Sequence, residues 1–175
     1  MFAPEVEKLL NEQIVAEIYS ANLYLSMSAW LREKNLDGYG HWYYVQYKEE
    51  MDHALIFFNF ILNAGGSVEL GAIEAPPTGF ASLEAILQQT LEHEQSVTAL
   101  IYAIVEEAQE VRDFKTTQFL DWFVKEQVEE EDNASTNIGR YQTFGGDSMG
   151  LHTLDQEMGA RVYVQTAQLA LVENA

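Results

Sequence analysis

The chain has 175 residues, in which 28 Asp and Glu outnumber 9 Lys and Arg to give a formal charge of −19 at pH 7. Such a surface repels phosphate backbones and anionic lipid, which disfavours nucleic-acid and membrane partners and favours cationic ones, metal ions among them. With 47% hydrophobic and 12% aromatic residues the chain can bury a core, and the absence of Cys excludes disulfides, thiolate zinc sites, iron–sulfur clusters and cysteine nucleophiles. The start, Met-Phe-Ala-Pro-Glu-Val-Glu-Lys, lacks the layout of a secretory signal, and no run approaches the ~18 apolar residues of a membrane span. A single domain over residues 1–175, soluble and cytoplasmic, is expected.

Proline occurs only at Pro4, Pro76 and Pro77, and apolar residues between them recur at three- and four-residue spacing, so the protein is predicted to be all-α. A first helix runs from about residue 5 to 33 with Leu10, Ile14, Ala21, Tyr24, Ser28 and Leu31 on one face, and Asn35 and Gly38 mark its end. The second, near Tyr39 to Ala64, carries Tyr43, Tyr47, Ala54, Phe57 and Ile61 and stops at Gly65-Gly66. The third begins after the N-cap Ser82 and reaches Glu110 through Leu87, Leu91, Ile101 and Val105. Asp113 caps a fourth, which extends to about Tyr141 through Phe123, Ala134 and Ile138. After Phe144-Gly145-Gly146-Asp147 a shorter fifth helix covers about Met149 to Leu171.

The connections fix the topology. The link from Gly66 to Ala81 holds 16 residues, which reach ~50 Å when extended, while a helix of the second one's length spans ~39 Å. This link can run the full length of a bundle, and the other links are short. Short, long, short is the pattern of a four-helix bundle with one long crossover, the ferritin-like topology.

Each long helix interrupts its apolar stripe with polar residues. They are Glu17 in the first, Glu50 and His53 in the second, Glu94 in the third, and Gln127 and Glu130 in the fourth. Glu50-Met51-Asp52-His53 is a Glu-x-x-His, which puts a carboxylate and an imidazole on one helix face. Alone the motif is weak. However, Glu17 to Glu94, Glu50 to Gln127 and His53 to Glu130 are each 77 residues apart, and the same offset pairs Leu10 with Leu87, Ile14 with Leu91, Leu23 with Leu100 and Glu49 with Glu126. Two equivalent helix pairs therefore each contribute a lone Glu and a pair three apart, the arrangement that builds paired metal sites in bundle cores. Four buried Glu carry −4 and need compensation, and two divalent ions supply +4. Oxygen ligands with one imidazole suit iron or manganese better than copper, zinc can also occupy such a site, and two redox-active ions sharing a carboxylate allow paired one-electron oxidation.

Several runs together give the resemblance: Asn11-Glu12-Gln13, Glu17-Ile18-Tyr19-Ser20, Met27-Ser28-Ala29-Trp30, Glu49-Glu50-Met51-Asp52-His53, Glu92-His93-Glu94-Gln95, Phe119-Leu120-Asp121-Trp122 and Glu126-Gln127-Val128-Glu129-Glu130. By these runs, in this order, the chain resembles the bacterial non-haem ferritins over almost its whole length. The resemblance implies a cage of 24 subunits that oxidises Fe²⁺ with O₂ or H₂O₂ and stores ferric mineral. It implies a first iron at Glu17, Glu50 and His53, a second at Glu50, Glu94 and Glu130, and Gln127 orienting water or dioxygen. Glu49, Glu126 and Glu129, with Glu130, resemble an additional third iron site facing the cavity. Tyr24 matches the family's tyrosine beside the centre, Trp122 is a candidate electron donor, and the fifth helix resembles the one lining the fourfold axis.

Departures from neighbouring families narrow the reading. Bacterioferritins repeat Glu-x-x-His in the second half, where this chain has Gln127-Val128-Glu129-Glu130. Met51 stands where they have a haem-ligating methionine, but non-haem members can also carry Met there, and no haem is expected. For a threefold pore, Asp113 and Asp121 are the candidates, while His41, His93 and His152 are assigned to the framework. The alternative function is a di-iron or di-manganese redox enzyme that retains its metals.

Overall fold

The computed structural model describes residues 2–173, so Met1, Asn174 and Ala175, the ends of the expected 1–175 domain, lie outside the described residues. Helix α1 spans Pro4–Glu33, α2 Asp37–Asn63, α3 Leu83–Glu110 and α4 Phe114–Phe144. Their ends follow local chemistry. Ser82 Oγ accepts from the Ala85 amide at 3.1 Å and Asp113 Oδ1 from the Thr116 amide at 3.1 Å, satisfying donors of each first turn. Asn35 at φ 60° and Gly65 at φ 78° turn the chain out of α1 and α2. Gly38 is not a terminator, contrary to the expectation, because it lies inside the first turn of α2. A Cβ there would collide with the Asp155 carbonyl oxygen, so its role is close approach.

The fifth helix differs most from expectation. Helix α5 spans only Ser148–Met158, started by Asp147, whose Oδ1 accepts from the Met149 and Gly150 amides. It ends at Gly159 rather than near Leu171; residues 159–160 turn, and residues 161–166 form a strap without regular structure before α6, Ala167–Glu173. This strap and α6 are held by α2. His41 Nε2 lies 2.8 Å from the Arg161 carbonyl oxygen, the Tyr163 hydroxyl donates to Asp52 at 2.8 Å, and Asn63 Nδ2 donates to the Val172 carbonyl at 2.6 Å.

Residues 64–82, between α2 and α3, run beside α1 for most of its length. The Ser67 amide donates to Glu7 at 2.7 Å near one end, and Phe80 meets Trp30 edge-on at 6.0 Å near the other. The link is thus the long crossover, and α2 and α3 point the same way. Across the bundle α2 and α4 meet through rings, with Phe57 stacked on Phe123 at 4.2 Å and Phe60 on Phe119 at 3.7 Å.

The buried apolar side chains form two clusters. One contains Leu10, Ile14, Phe57, Ile61, Ile101 and Phe123, the other Leu23, Met27, Leu31, Tyr43, Ile86 and Leu87. Between them, at mid-bundle, sits a layer of buried polar side chains. The 77-residue repeat is imperfect in packing, since Leu23 is buried while its counterpart Leu100 is 46% exposed on the outer face of α3.

Candidate metal centre

The polar layer contains the six residues that interrupt the apolar stripes. Glu17, Glu50, His53, Glu94, Gln127 and Glu130 are all between 1% and 5% exposed. Glu17 comes from α1, Glu50 and His53 from adjacent turns of α2, Glu94 from α3, and Gln127 and Glu130 from α4. Glu17, Glu50 and His53 each offer one ligand atom, and these atoms lie within 4.8 Å of one another. Elsewhere, a surface groove of about 680 Å³ lies between α1 and the crossover, beside Asn11, Ser67 and Gly71, away from this layer.

Amides and one phenol hold the carboxylates. Gln13 Nε2 donates to Glu17 Oε1 at 2.8 Å, and Gln46 Nε2 to Glu130 Oε2 at 2.8 Å and Glu50 Oε1 at 3.2 Å. Gln127 Nε2 lies 3.2 Å from Glu94 Oε2 and 3.3 Å from Thr98 Oγ1, and the Tyr24 hydroxyl donates to Glu94 Oε1. His53 Nδ1 faces Glu50 Oε2 at 3.3 Å. One oxygen is left out: Glu17 Oε2 is buried without a hydrogen-bond partner. An orphaned carboxylate oxygen beside a second carboxylate and an imidazole is the donor set that a hard or borderline cation fits.

The electrostatics express the same strain. Burial, then the neighbouring Glu50 charge, pushes Glu17 and Glu94 each from 4.5 up to about 8. Burial and then Glu94 and Glu50 push Glu130 well above the carboxylate range. Burial opposes charge on Glu50 too, but His53 and its hydrogen bond outweigh it and hold Glu50 low. Burial would lower His53, yet Glu50 raises it to about 10. Burial and like charge thus favour the neutral forms of Glu17, Glu94 and Glu130, while Glu50 and His53 favour each other's charge.

The remaining expected residues lie on its margin. Glu126 Oε1 is 4.0 Å from His53 Nε2, Glu129 is exposed, and Glu49 is half-buried and ion-paired with Arg161. Tyr24 is fully buried, and Trp122 meets the His53 ring edge-on at 5.5 Å. Asp113 caps α4 and is partly buried, and Asp121 is exposed. His93, assigned to the framework, lies 2.8 Å from Ser20 Oγ. Gln13, Gln46 and Thr98 were not anticipated. Gln13 and Gln46 stand four residues before Glu17 and Glu50, a helical spacing visible in the sequence.

The ferritin-like domain family matches residues 7–144. A bacterial non-heme ferritin of Campylobacter jejuni is 40% identical over 156 residues, covering 89% of this chain and 93% of that protein. One of Staphylococcus aureus is 33% identical over 163 residues, covering 93% and 98%. Among solved structures, an engineered closed form of the Archaeoglobus fulgidus ferritin superposes with a TM-score of 0.92 at 40% identity, covering 94% of this chain and all of that one. The open-pore form from the same archaeon gives 0.91 at 41%, covering 93% of this chain. With four long helices, one crossover and a carboxylate layer where the two apolar clusters part, this chain belongs to the ferritin family.

Proposed function

We propose that the protein stores iron and oxidises it first. The observation that carries this reading is the convergence of Glu17, Glu50 and His53 in a closed core, with one Glu17 oxygen unsatisfied. Glu17, Glu50 and His53 would receive one Fe²⁺, and Glu50, Glu94 and Glu130 the second, with Glu50 shared. Gln127 would orient water or the oxidant. Each Fe²⁺ gives up one electron. O₂ takes the pair with two protons to form H₂O₂, or H₂O₂ takes it with two protons to form two waters. The Fe³⁺ then moves to carboxylates of a cavity and mineralises there, with Glu49, Glu126 and Glu129 as a third station on that path.

The cage is proposed as a homo-oligomer of 24, each chain one ferritin-like domain over residues 1–175. Exposed Leu70, Leu100, Tyr102 and Phe114 supply apolar surface suited to contacts between copies. Much of the −19 charge would then serve to draw Fe²⁺ inward. A cytoplasmic protein without haem, nucleic acid or membrane partners completes the reading, and no described helix is long and apolar enough to cross a membrane.

Aerobic addition of Fe²⁺ to metal-free protein, followed by absorbance and then by gel filtration and iron analysis, tests it. Storage predicts an assembly near 480 kDa, from 24 chains of 19.9 kDa, holding far more than two irons per chain. A small oligomer that keeps two metals and grows no mineral would favour the retained-cofactor enzyme instead.

A further inference from the structure

The strap after α5 carries a cation into the margin of the metal centre. Arg161 Nη2 donates to Glu49 Oε2 at 2.5 Å, and Nη1 donates to Gln46 Oε1 at 2.7 Å. Its guanidinium lies 4.4 Å from the centroid of the Trp42 ring. Gln46 is thereby fixed by both ends, its carbonyl taken by Arg161 and its amide donating to Glu130 and Glu50. A guanidinium forked between two acceptors and set over a ring is held in one orientation, unlike an ammonium on a flexible stem. The strap that delivers it is anchored on both sides of Arg161. Gly159 packs against Gly38, His41 meets the Arg161 carbonyl, Tyr163 bonds Asp52, and Leu169 of α6 is buried in the apolar core.

The guanidinium already holds Glu49 Oε2, so a metal ion at that oxygen has to compete with Arg161. Of the other carboxylates of the margin, Glu126 faces His53 Nε2 at 4.0 Å and Glu129 is exposed, and no Arg or Lys is paired with either among the described residues. Glu49 and Arg161 are each only about one-fifth exposed, so water screens the pair weakly.

We infer that Arg161 is a built-in competitor for Glu49 and a positioning residue for Gln46, so that a third metal ion reaches the margin only when the strap lets its guanidinium go. The inference rests on the proposed two-ion centre and adds its regulation. Filling of the pair and onward passage of the product become separate events, the second set by how firmly residues 159–166 lie on α2. Because Gln46 reaches Glu130 and Glu50, release of Arg161 also loosens two ligands of the pair at the moment their ion is to leave.

Anaerobic Co²⁺ titration of the intact assembly, by calorimetry and visible absorption, tests this on the wild type, R161Q, R161K and the double variant R161Q/E49Q. Hydrogen exchange of residues 159–166 is read in parallel. The wild type should bind two ions tightly and a third at least tenfold more weakly than R161Q does. R161K, which keeps the charge but not the fork, should fall between, and the double variant should lose the gained ion. Amides of the strap should exchange faster only when the third ion binds to the wild type. Equal third-ion affinity in the wild type and R161Q, or a gain that survives loss of Glu49, would overturn the role given to Arg161. A wild type without the tight pair would strike the two-ion reading instead, and the two failures are distinguished by the same titration.

Discussion

Loading the centre must expel protons, and the structure sets how many. Burial and the Glu50 charge favour the protonated forms of Glu17 and Glu94, each raised to about 8, and burial with Glu94 and Glu50 favours that of Glu130. His53, raised to about 10, carries a proton paired with the Glu50 charge. All four protons occupy positions that a metal needs as ligands, because an imidazole coordinates only when neutral and a carboxylate most strongly when ionised. Replacing four protons by two divalent ions leaves the net charge of the buried layer at zero before and after, which is the condition a low-dielectric core imposes. Between about pH 6 and 7 the combined affinity for the pair should therefore change by up to ~10⁴ per pH unit, or ~5 kcal/mol, weakening as pH falls. The groups titrate together, so the count belongs to the layer rather than to one residue. Calorimetry with Zn²⁺ at pH 7 in two buffers of different ionisation enthalpy measures it without oxidation or hydrolysis. Release of about four protons per pair of ions is expected, and about three in E94Q. Release of fewer than one proton per pair would refute the charge balance.

Three further outcomes follow from the same contacts. Without metal, Glu17 and Glu94 contribute stability that is full below about 4.5 and lost as pH rises through about 8, so the apparent Tm of the metal-free protein should decline across that window and the decline should vanish with saturating Zn²⁺. Tyr24→Phe removes the hydroxyl that donates to Glu94 and should cost the second ion about 1–2 kcal/mol, a roughly five- to thirtyfold loss in its affinity, with the first ion unchanged in the same titration. Gly38→Ala drives a methyl into the Asp155 carbonyl and should cost about 1–3 kcal/mol. It should lift α5 from α2, read as faster hydrogen exchange over residues 148–166, and unchanged exchange there would contradict the packing account.

The long helices, the crossover and the polar layer were legible because each is written in local or repeated pattern. Periodicity gave α1 to α4 nearly to their ends, and the 77-residue offset picked out Glu17, Glu94, Glu50, Gln127, His53 and Glu130 among many acidic residues. The C-terminal end was misread for an identifiable reason. Gly159 directly after Met158 is a helix-stop signal, and residues 161–164 alternate between half-buried and exposed, the period of extended chain rather than of a helix. Arg161 and Gln46 were not legible as a pair at all. They are 115 residues apart, and only the docking of the strap on α2 brings them together. Spacing likewise could not tell that Leu100, the repeat partner of buried Leu23, faces outward.

The central claim is that buried acids from four helices surround a place for two ions. Anomalous diffraction from crystals soaked anaerobically in Fe²⁺ measures this directly. The account predicts two iron peaks per chain, one against Glu17, Glu50 and His53 and the other against Glu50, Glu94 and Glu130. Iron found only at exposed carboxylates, with Glu17 Oε2 still unsatisfied in the core, would contradict it.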